Sequence, residues 1–283
     1  MKYLRIRSRN HSAKALAKQI QCTKNIVCRL GSFTENEAIF TPNMLKKGVI
    51  ELNTVNACKL SNDKLKMKEA FDAAGVNTSA WLPLANSIVE NNRVYERNIY
   101  EENNPEAEAP VILTFPCIIK HIHSSKGEKI YYIATEVEYE KFVEKYDQTL
   151  ENYIIEHYYN YAKEYRVHVS ELGAFYSCRK MLLNDVPIDQ RFHRHHINTV
   201  WIVPENEQFE TPEHWDKVLE DCVKAIKSIG LSIGCVDVLV TKQGNLAPDW
   251  KILETNSAPA LGEITTELYL KELTKLCKYY EEK

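Results

Sequence analysis

The chain has 283 residues and a mass of 32.8 kDa, with 44% hydrophobic and 27% charged residues, enough to bury a full core. No apolar run approaches the roughly 20 residues of a membrane helix, and the N-terminus MKYLRIRSRNHSAK has positive charge but no apolar stretch, so neither a spanning helix nor a secretory signal is expected. The formal charge of -3 is uneven: Lys2, Arg5, Arg7, Arg9, Lys14, Lys18, Lys24 and Arg29 all precede the first acid, Glu35, which points either to an anionic ligand, polymer or partner or to a solvated basic face. The 8 cysteines form no C-x-x-C pair and read as buried free thiols of a reducing, cytoplasmic compartment.

In chain order, YLRIR, SRN and SAKALAKQI read as a strand, a turn and a helix, with Ser12 as N-cap and Ala13, Leu16, Ala17 and Ile20 on one face. Residues 61–75 form a second helix with Met67, Ala70, Phe71 and Ala74 apolar and Gly75 just past its end. Residues 81–110, polar and Pro-bearing, read as a long loop with at most a short helix. VILTFPCIIK is a strand, HSSKGE a turn and KIYYIA a returning strand; Thr135 and Glu138 then make a capping box before a helix whose face is Tyr139, Phe142, Val143 and Tyr146. NYIIE, EYRVHV and GAFYSCRKML are strands, NDVPIDQRFHRHHINT is a polar loop, and Thr211 with Pro212 opens a helix ending at Gly230. A hairpin and a C-terminal helix follow. Strands grouped around helices in this way, with no repeat, indicate α+β lobes sharing a cleft.

The hairpin, IGCVDVLVTKQGNLAPDWKILETN, is the most informative segment. Alternation in VDVLV turns Asp237 away from Val236 and Val238, and LETN puts Glu254 and Asn256 on one face of the next strand. With Gly244, Asn245 and Pro248 as turn chemistry, antiparallel pairing brings Asp237 opposite Glu254. Either the two acids are solvated, or a cation sits between them, and hard oxygen donors select Mg²⁺.

Nucleotide loops of the G-x-G-x-x-G and G-x-x-x-x-G-K-[ST] types are absent. Lys120, at the end of a buried strand, either meets an anion or snorkels to water; the turn that follows, Ser124, Ser125, Lys126 and Gly127, can offer amides and hydroxyls to phosphate.

The order NDKLKMKEAFDAAGV, FPCIIKHIHSSKG, YIIEHYYNYAKEYRVHV, GLSIGCVDVLV and LETNSAPAL, over residues 61–262, resembles the ATP-grasp superfamily, most closely its ribosomal-protein glutamate ligase branch. The resemblance implies an α+β, ATP-grasp fold in which two α+β lobes clasp ATP beside an N-terminal α/β lobe. The lobes fall at residues 1–60 (substrate), 61–157 (linker helix and central lid) and 158–283 (metal site). It implies that Lys120 holds the α and β phosphates and that the loop through Ser124, Ser125 and Gly127 folds over the β and γ phosphates. Ile155, Glu156 and His157 would serve adenine and ribose, and Lys64 matches a lysine that opens the helix before the lid. Asp237, Glu254 and Asn256 would bind Mg²⁺, while Arg166 and Lys180 would face the transferred phosphate and acyl group.

The implied activity is ADP-forming ligation of a carboxylate to an amine through an acyl phosphate, with ATP and Mg²⁺ as cofactors. Alternatives are a kinase acting on a hydroxyl and a non-catalytic nucleotide- or nucleic-acid-binding module. The phosphate loop departs from the family in having one glycine, and RFHRHHINT replaces a loop that often contains glycine. His193, His195 and His196 lack a close Cys or acid to complete a tetrahedral zinc set, so this loop fits an anionic acceptor better. Arg9, Arg194 and Asn198 are the expected contacts to that acceptor, a small molecule or peptide; no membrane partner is expected.

Overall fold

Parallel pairing opens the chain. In the computed structural model, which describes residues 2–8, 11–31, 48–97, 112–124, 127–159, 163–187, 198–241 and 249–283, the first elements are β1 (Lys2–Tyr3), β2 (Arg5–Ser8), α1 (His11–Leu16), β3 (Gln21–Cys22), β4 (Asn25–Leu30) and β5 (Val49–Leu52). β1 pairs with β3, and β2, β4 and β5 form a parallel sheet in that order. Ala13, Leu16 and Ile20 pack under it as the periodicity predicts, although α1 begins at His11, so Ser12 lies inside the helix.

Two helices lead out, α2 (Val55–Ser61) and α3 (Lys64–Ala74). Asp63 caps α3 by accepting from the Lys66 amide, and Gly75 ends it in the left-handed region at φ 65°. Met67 and Phe71 are buried as expected, Ala74 is exposed, and Lys68 is buried, which periodicity did not flag.

The segment expected as a loop is largely strand up to Glu96. β6 (Trp81–Pro83) is followed by a hairpin of β7 (Ser87–Glu90) and β8 (Arg93–Glu96), and β9 (Leu113–Thr114) pairs with β8. Asn91 and Asn92, read as loop polarity, are the two positive-φ residues of that hairpin turn. β10 (Cys117–His121), β11 (Ile130–Ile133), α4 (Glu136–Tyr146) and β12 (Tyr153–His157) complete an antiparallel sheet in the order β11-β10-β12-β6. Tyr139 and Phe142 of α4 cover one face of it, with Cys117, Ile119, Tyr153 and Ile155 beneath. Thr135 caps α4 as predicted, while the Glu138 carboxylate accepts from the Ala134 amide instead of that of Thr135.

The remaining elements are β13 (Lys163–Ser170), β14 (Gly173–Leu182), β15 (Thr199–Ile202), α5 (Trp215–Ser228), β16 (Ile233–Val240), β17 (Trp250–Asn256) and α6 (Glu263–Glu282). The strands form an antiparallel sheet in the order β15-β14-β13-β16-β17. α5 starts at Trp215, later than Thr211 and Pro212 suggest, because His214 takes a positive φ just before it. Its Val218, Cys222, Ala225 and Ile226 bury one face of the sheet against Tyr165, Val167, Val236 and Val238, with Met67 and Phe71 of α3 in the same core. α6 covers one end of the other face, where Tyr269 donates to the Gly234 carbonyl and stacks edge-on to His168.

Asn53 locks the N-terminal sheet to the β16 sheet. Its side chain donates to the Arg29 and Ile233 carbonyls at 2.9 and 2.7 Å and accepts from the Ser232 and Ile233 amides at 2.8 and 3.0 Å. Gly31, at the end of β4, packs so closely on the loop after β17 that a Cβ there would lie 2.3 Å from the Ala258 Cβ. Since Asn53 has φ 53°, Asn53→Gly keeps the backbone permissible and deletes only the hydrogen bonds. Urea denaturation of that variant should show a loss of about 3 kcal/mol or more, as buried amides and carbonyls lose their partners.

Candidate functional site

The predicted hairpin forms, and it places Asp237 directly opposite Glu254. Between Asp237 and Val238 the register slips by one, so Leu253 is the extra residue of a bulge and Glu254 and Asn256 share the face of Asp237. Asn256 Nδ2 lies 3.4 Å from both Asp237 Oδ2 and Glu254 Oε1. Arg166, opposite Asp237 on β13, grips that carboxylate with both prongs: Nε donates to Oδ1 at 2.7 Å and Nη2 to Oδ2 at 2.8 Å. Burial alone raises the Asp237 pKa, but Arg166 outweighs it and holds the group below the usual carboxylate range.

Two strands across, Lys180 Nζ pairs with Glu164 Oε1 at 3.1 Å. Trp201 of β15 lies over both cations, its ring centroid 5.0 Å from Arg166 Cζ and 5.8 Å from Lys180 Nζ. Alternation along the strands puts Glu164, Arg166, Lys180, Trp201, Asp237 and Glu254 on one face.

A second basic group lies on the β10–β12 sheet. Lys120 and Glu156 are diagonal neighbours there, with Lys120 Nζ 2.9 Å from Glu156 Oε1. The buried Lys68 of α3 reaches Glu156 Oε2 at 3.3 Å and donates to Thr78 Oγ1 at 2.6 Å, and Thr78 donates to the Ile252 carbonyl on β17 at 2.8 Å. A hydrogen-bonded chain thus runs from the central sheet to the strand carrying Glu254. Burial pushes the Glu156 pKa up, but Lys120 and Lys68 together hold it at about 2. Lys64 donates to the Ser124 carbonyl, fastening the start of α3 to the phosphate-loop candidate. Burial lowers the Lys64 pKa, Glu254 opposes that, and Lys120 and Glu156 also act on it, so this ammonium lies within electrostatic reach of both groups.

The expected residues therefore gather in two facing sets, Arg166, Lys180, Asp237, Glu254 and Asn256 on one and Lys64, Lys120, Ser124 and Glu156 on the other. Three of the expected residues have these surroundings. The Glu156 carboxylate is taken by two lysines and fixes them, a buried anion being tolerated only beside cations. The Ile155 side chain is fully buried in the central core and faces away from the cleft. The His157 amide is bonded to the Ala80 carbonyl, so its backbone donor is already engaged. Gly127 adopts φ 76°, as a tight turn requires. Asn198 begins the return into β15, its carbonyl accepting from Leu183. Arg9, Ser125, Arg194 and the histidines at 193, 195 and 196 lie outside the described residues.

Lys68, Thr78, Glu164 and Trp201 were missed. Lys68 falls one turn after Lys64 and one turn before Phe71, and that spacing is the signal that could have found it. Trp201 was hidden because β15 lacks a run of alternation long enough to be read. The donors at Asp237, Glu254 and Asn256 are of the hard oxygen type that suits Mg²⁺, and the buried Asp237 carboxylate already calls for a positive partner. Among the described residues there is no cluster of three His, Cys, Asp or Glu side chains that could hold a metal ion, so the amide of Asn256 is needed for a third protein ligand.

Neither a family model nor a curated protein sequence matches the chain. Solved structures do. D-alanine–D-alanine ligase from Bacillus anthracis complexed with ATP superposes with a TM-score of 0.60 at 11% identity, over 99% of this chain and 96% of that one. The fold is ATP-grasp. N5-carboxyaminoimidazole synthetase from Staphylococcus aureus complexed with ADP gives 0.56 at 16% identity, over 86% of this chain and 56% of its own. A biotin carboxylase–β-γ-ATP complex from Campylobacter jejuni gives 0.54 at 16% identity, over 90% and 54%.

The Lys68–Glu156–Lys120 cluster generates a pH prediction. Because the folded pKa of Glu156 lies below the unfolded value of roughly 4.3, its stabilisation is complete above that value and is lost as pH falls toward about 2. Thermal melts of Glu156→Gln should show a loss of about 3 kcal/mol at neutral pH, from the buried Lys68 and half-buried Lys120 ammonium groups left unneutralised, and a shallower acid slope than wild type.

Proposed function

We propose that this protein is an ATP-dependent, ADP-forming carboxylate–amine ligase, of the kind exemplified by the ribosomal-protein glutamate ligases. One observation carries the reading: an oxygen-donor set on β16 and β17 faces a lysine set on α3 and β10, joined through Lys68, Thr78 and Ile252. Anion-binding and cation-binding groups placed opposite each other suit a metal-bound polyphosphate. The superposed structures solved in complex with ATP or ADP support the same ligand.

In this reading Lys120 and Lys64 bind the phosphate chain, with the turn at Ser124 and Gly127 beside it, and Asp237, Glu254 and Asn256 hold Mg²⁺, whose charge offsets that of the phosphates. A substrate carboxylate oxygen attacks the γ phosphorus and ADP leaves; the amine nitrogen then attacks the acyl carbon, loses its proton, and inorganic phosphate leaves. Arg166 and Lys180 neutralise charge around the transferred phosphoryl and acyl groups. Preformed charge of this kind acts without a nucleophilic side chain, and all 8 cysteines are buried free thiols, several with pKa values pushed up by burial.

The acceptor we propose is anionic, an acidic amino acid, peptide or phosphate-bearing molecule. Arg5 and Arg7 are exposed on one face of β2 and support this reading, with Arg9 and Arg194 as the direct contacts.

The deciding assay replaces the amine with hydroxylamine. A ligase yields a hydroxamate together with ADP, whereas a kinase yields a phosphate ester and no hydroxamate. Asp237→Asn and Glu254→Gln should each lower Mg²⁺-dependent turnover at least a hundredfold while far-UV circular dichroism stays unchanged. Wild-type turnover by both variants at limiting Mg²⁺ would remove the metal assignment. Rising salt should increase the acceptor KM in wild type and do so less in Arg9→Ala, a comparison read from initial rates at saturating ATP.

A further inference from the structure

Both oxygens of Asp237 are already engaged, each accepting one hydrogen bond from Arg166. Arg166 takes Oδ1 and Oδ2 in one bidentate contact, at 2.7 and 2.8 Å, and the amide nitrogen of Asn256 points at the remaining space between Asp237 and Glu254. Donor hydrogens therefore converge where a cation would need oxygen lone pairs, and the guanidinium sits in the cation's electrostatic role. A metal and Arg166 cannot both hold this carboxylate in the same way. Among the described residues Arg166 forms a salt bridge with Asp237 alone; Glu254 acts on it only through its field, and its other contact is the ring of Trp201, exposed on the edge strand β15.

Building on the proposed metal-nucleotide site, we infer that Arg166 is a built-in substitute for the metal, holding Asp237 in the metal-free protein and yielding it when the metal binds. The exchange has two consequences. Buried Asp237 is never left without a positive partner, so the strand pair stays folded between turnovers. The guanidinium, once displaced, remains charged and lies at the edge of the same face, free to meet the anion that arrives with the metal. Apparent metal affinity is then reduced by the fraction of molecules in which Arg166 already holds the carboxylate.

That arithmetic makes an unusual prediction: deleting a residue from the site should tighten metal binding. Mn²⁺ alone, titrated into nucleotide-free protein and followed by the electron paramagnetic resonance signal of free Mn²⁺, should bind Arg166→Gln about tenfold more tightly than wild type. Arg166→Lys, which keeps the charge but loses the fork, should fall between them. Mg²⁺ should change the tryptophan fluorescence of wild type as the guanidinium leaves the Trp201 ring, and this change should vanish in both Arg166→Gln and Trp201→Phe.

Equal or weaker Mn²⁺ binding by Arg166→Gln, with binding abolished in Asp237→Asn, overturns the substitution and leaves the metal site standing. Arg166→Lys matching wild type also overturns it, since charge repulsion alone would then explain the Gln variant. Absence of Mn²⁺ binding in wild type and all variants, with and without ADP, overturns the substitution together with the site on which it rests. Should Arg166→Gln fail to fold, the Lys variant decides the matter through the same two readouts.

Discussion

A buried carboxylate survives only beside a cation, and the cleft of this protein is organised by that requirement. Asp237 lies with Arg166, Glu164 with Lys180, and Glu156 with Lys68 and Lys120. Each pair is drawn from two different elements, so neutralising the acids also fixes the strands and helices that carry them. The same pairs keep basic side chains on the sheet faces that carry the acids, because Arg166, Lys180 and Lys120 each meet an acid of a neighbouring strand. Charge balance in the resting protein and readiness for a polyanion are therefore one arrangement. Replacing one pair with apolar residues would preserve packing volume and remove the recognition.

What holds these charges in place is ordinary packing on the opposite face of the β13–β17 sheet. Alternation along β13 and β16 sends Tyr165, Val167, Val236 and Val238 into the α5 core and Arg166 and Asp237 to the cleft. α3 contributes to both environments, with Met67 and Phe71 in that core and Lys64 and Lys68 in the charged layer. Asp221 of α5 reinforces the join, accepting from the Asn77 amide at 3.1 Å and from Trp250 Nε1 at 3.0 Å. The position of Lys68 relative to Glu254 is thus set by helix packing and by the short segment after Gly75.

Strands with clear alternation or a strong turn were legible in the sequence, and so was the chemistry they carry. Asp237 opposite Glu254 follows from VDVLV, a turn and LETN, with no need of tertiary information. The Glu156 carboxylate is different: its strand was read correctly, but its partner Lys68 comes from a helix 88 residues earlier in the chain, a pairing that local pattern does not encode. β7 and β8 were missed because their short runs are bounded by charges and asparagines, and β15 because its four residues, TVWI, follow a long polar loop and are too few to show a period. The family resemblance supplied the order of motifs, and the geometry added that the Glu156 carboxylate holds Lys68 and Lys120.

The Asn53 lock and the Gly31–Ala258 contact bear on how the cleft can open. Four hydrogen bonds from one buried amide, together with backbone packed too closely to admit a methyl group, bind the parallel sheet to the base of β16 and to the loop two residues beyond Asn256. Those two sheets must travel as one body. The central sheet joins them through a narrower set of ties at Asn77 and Thr78 on Ile252 and at the start of α3. Any rotation about that waist would change the distance between the lysines and the acids and leave the acids' own spacing untouched, because Asp237, Glu254 and Asn256 lie on two paired strands of one sheet.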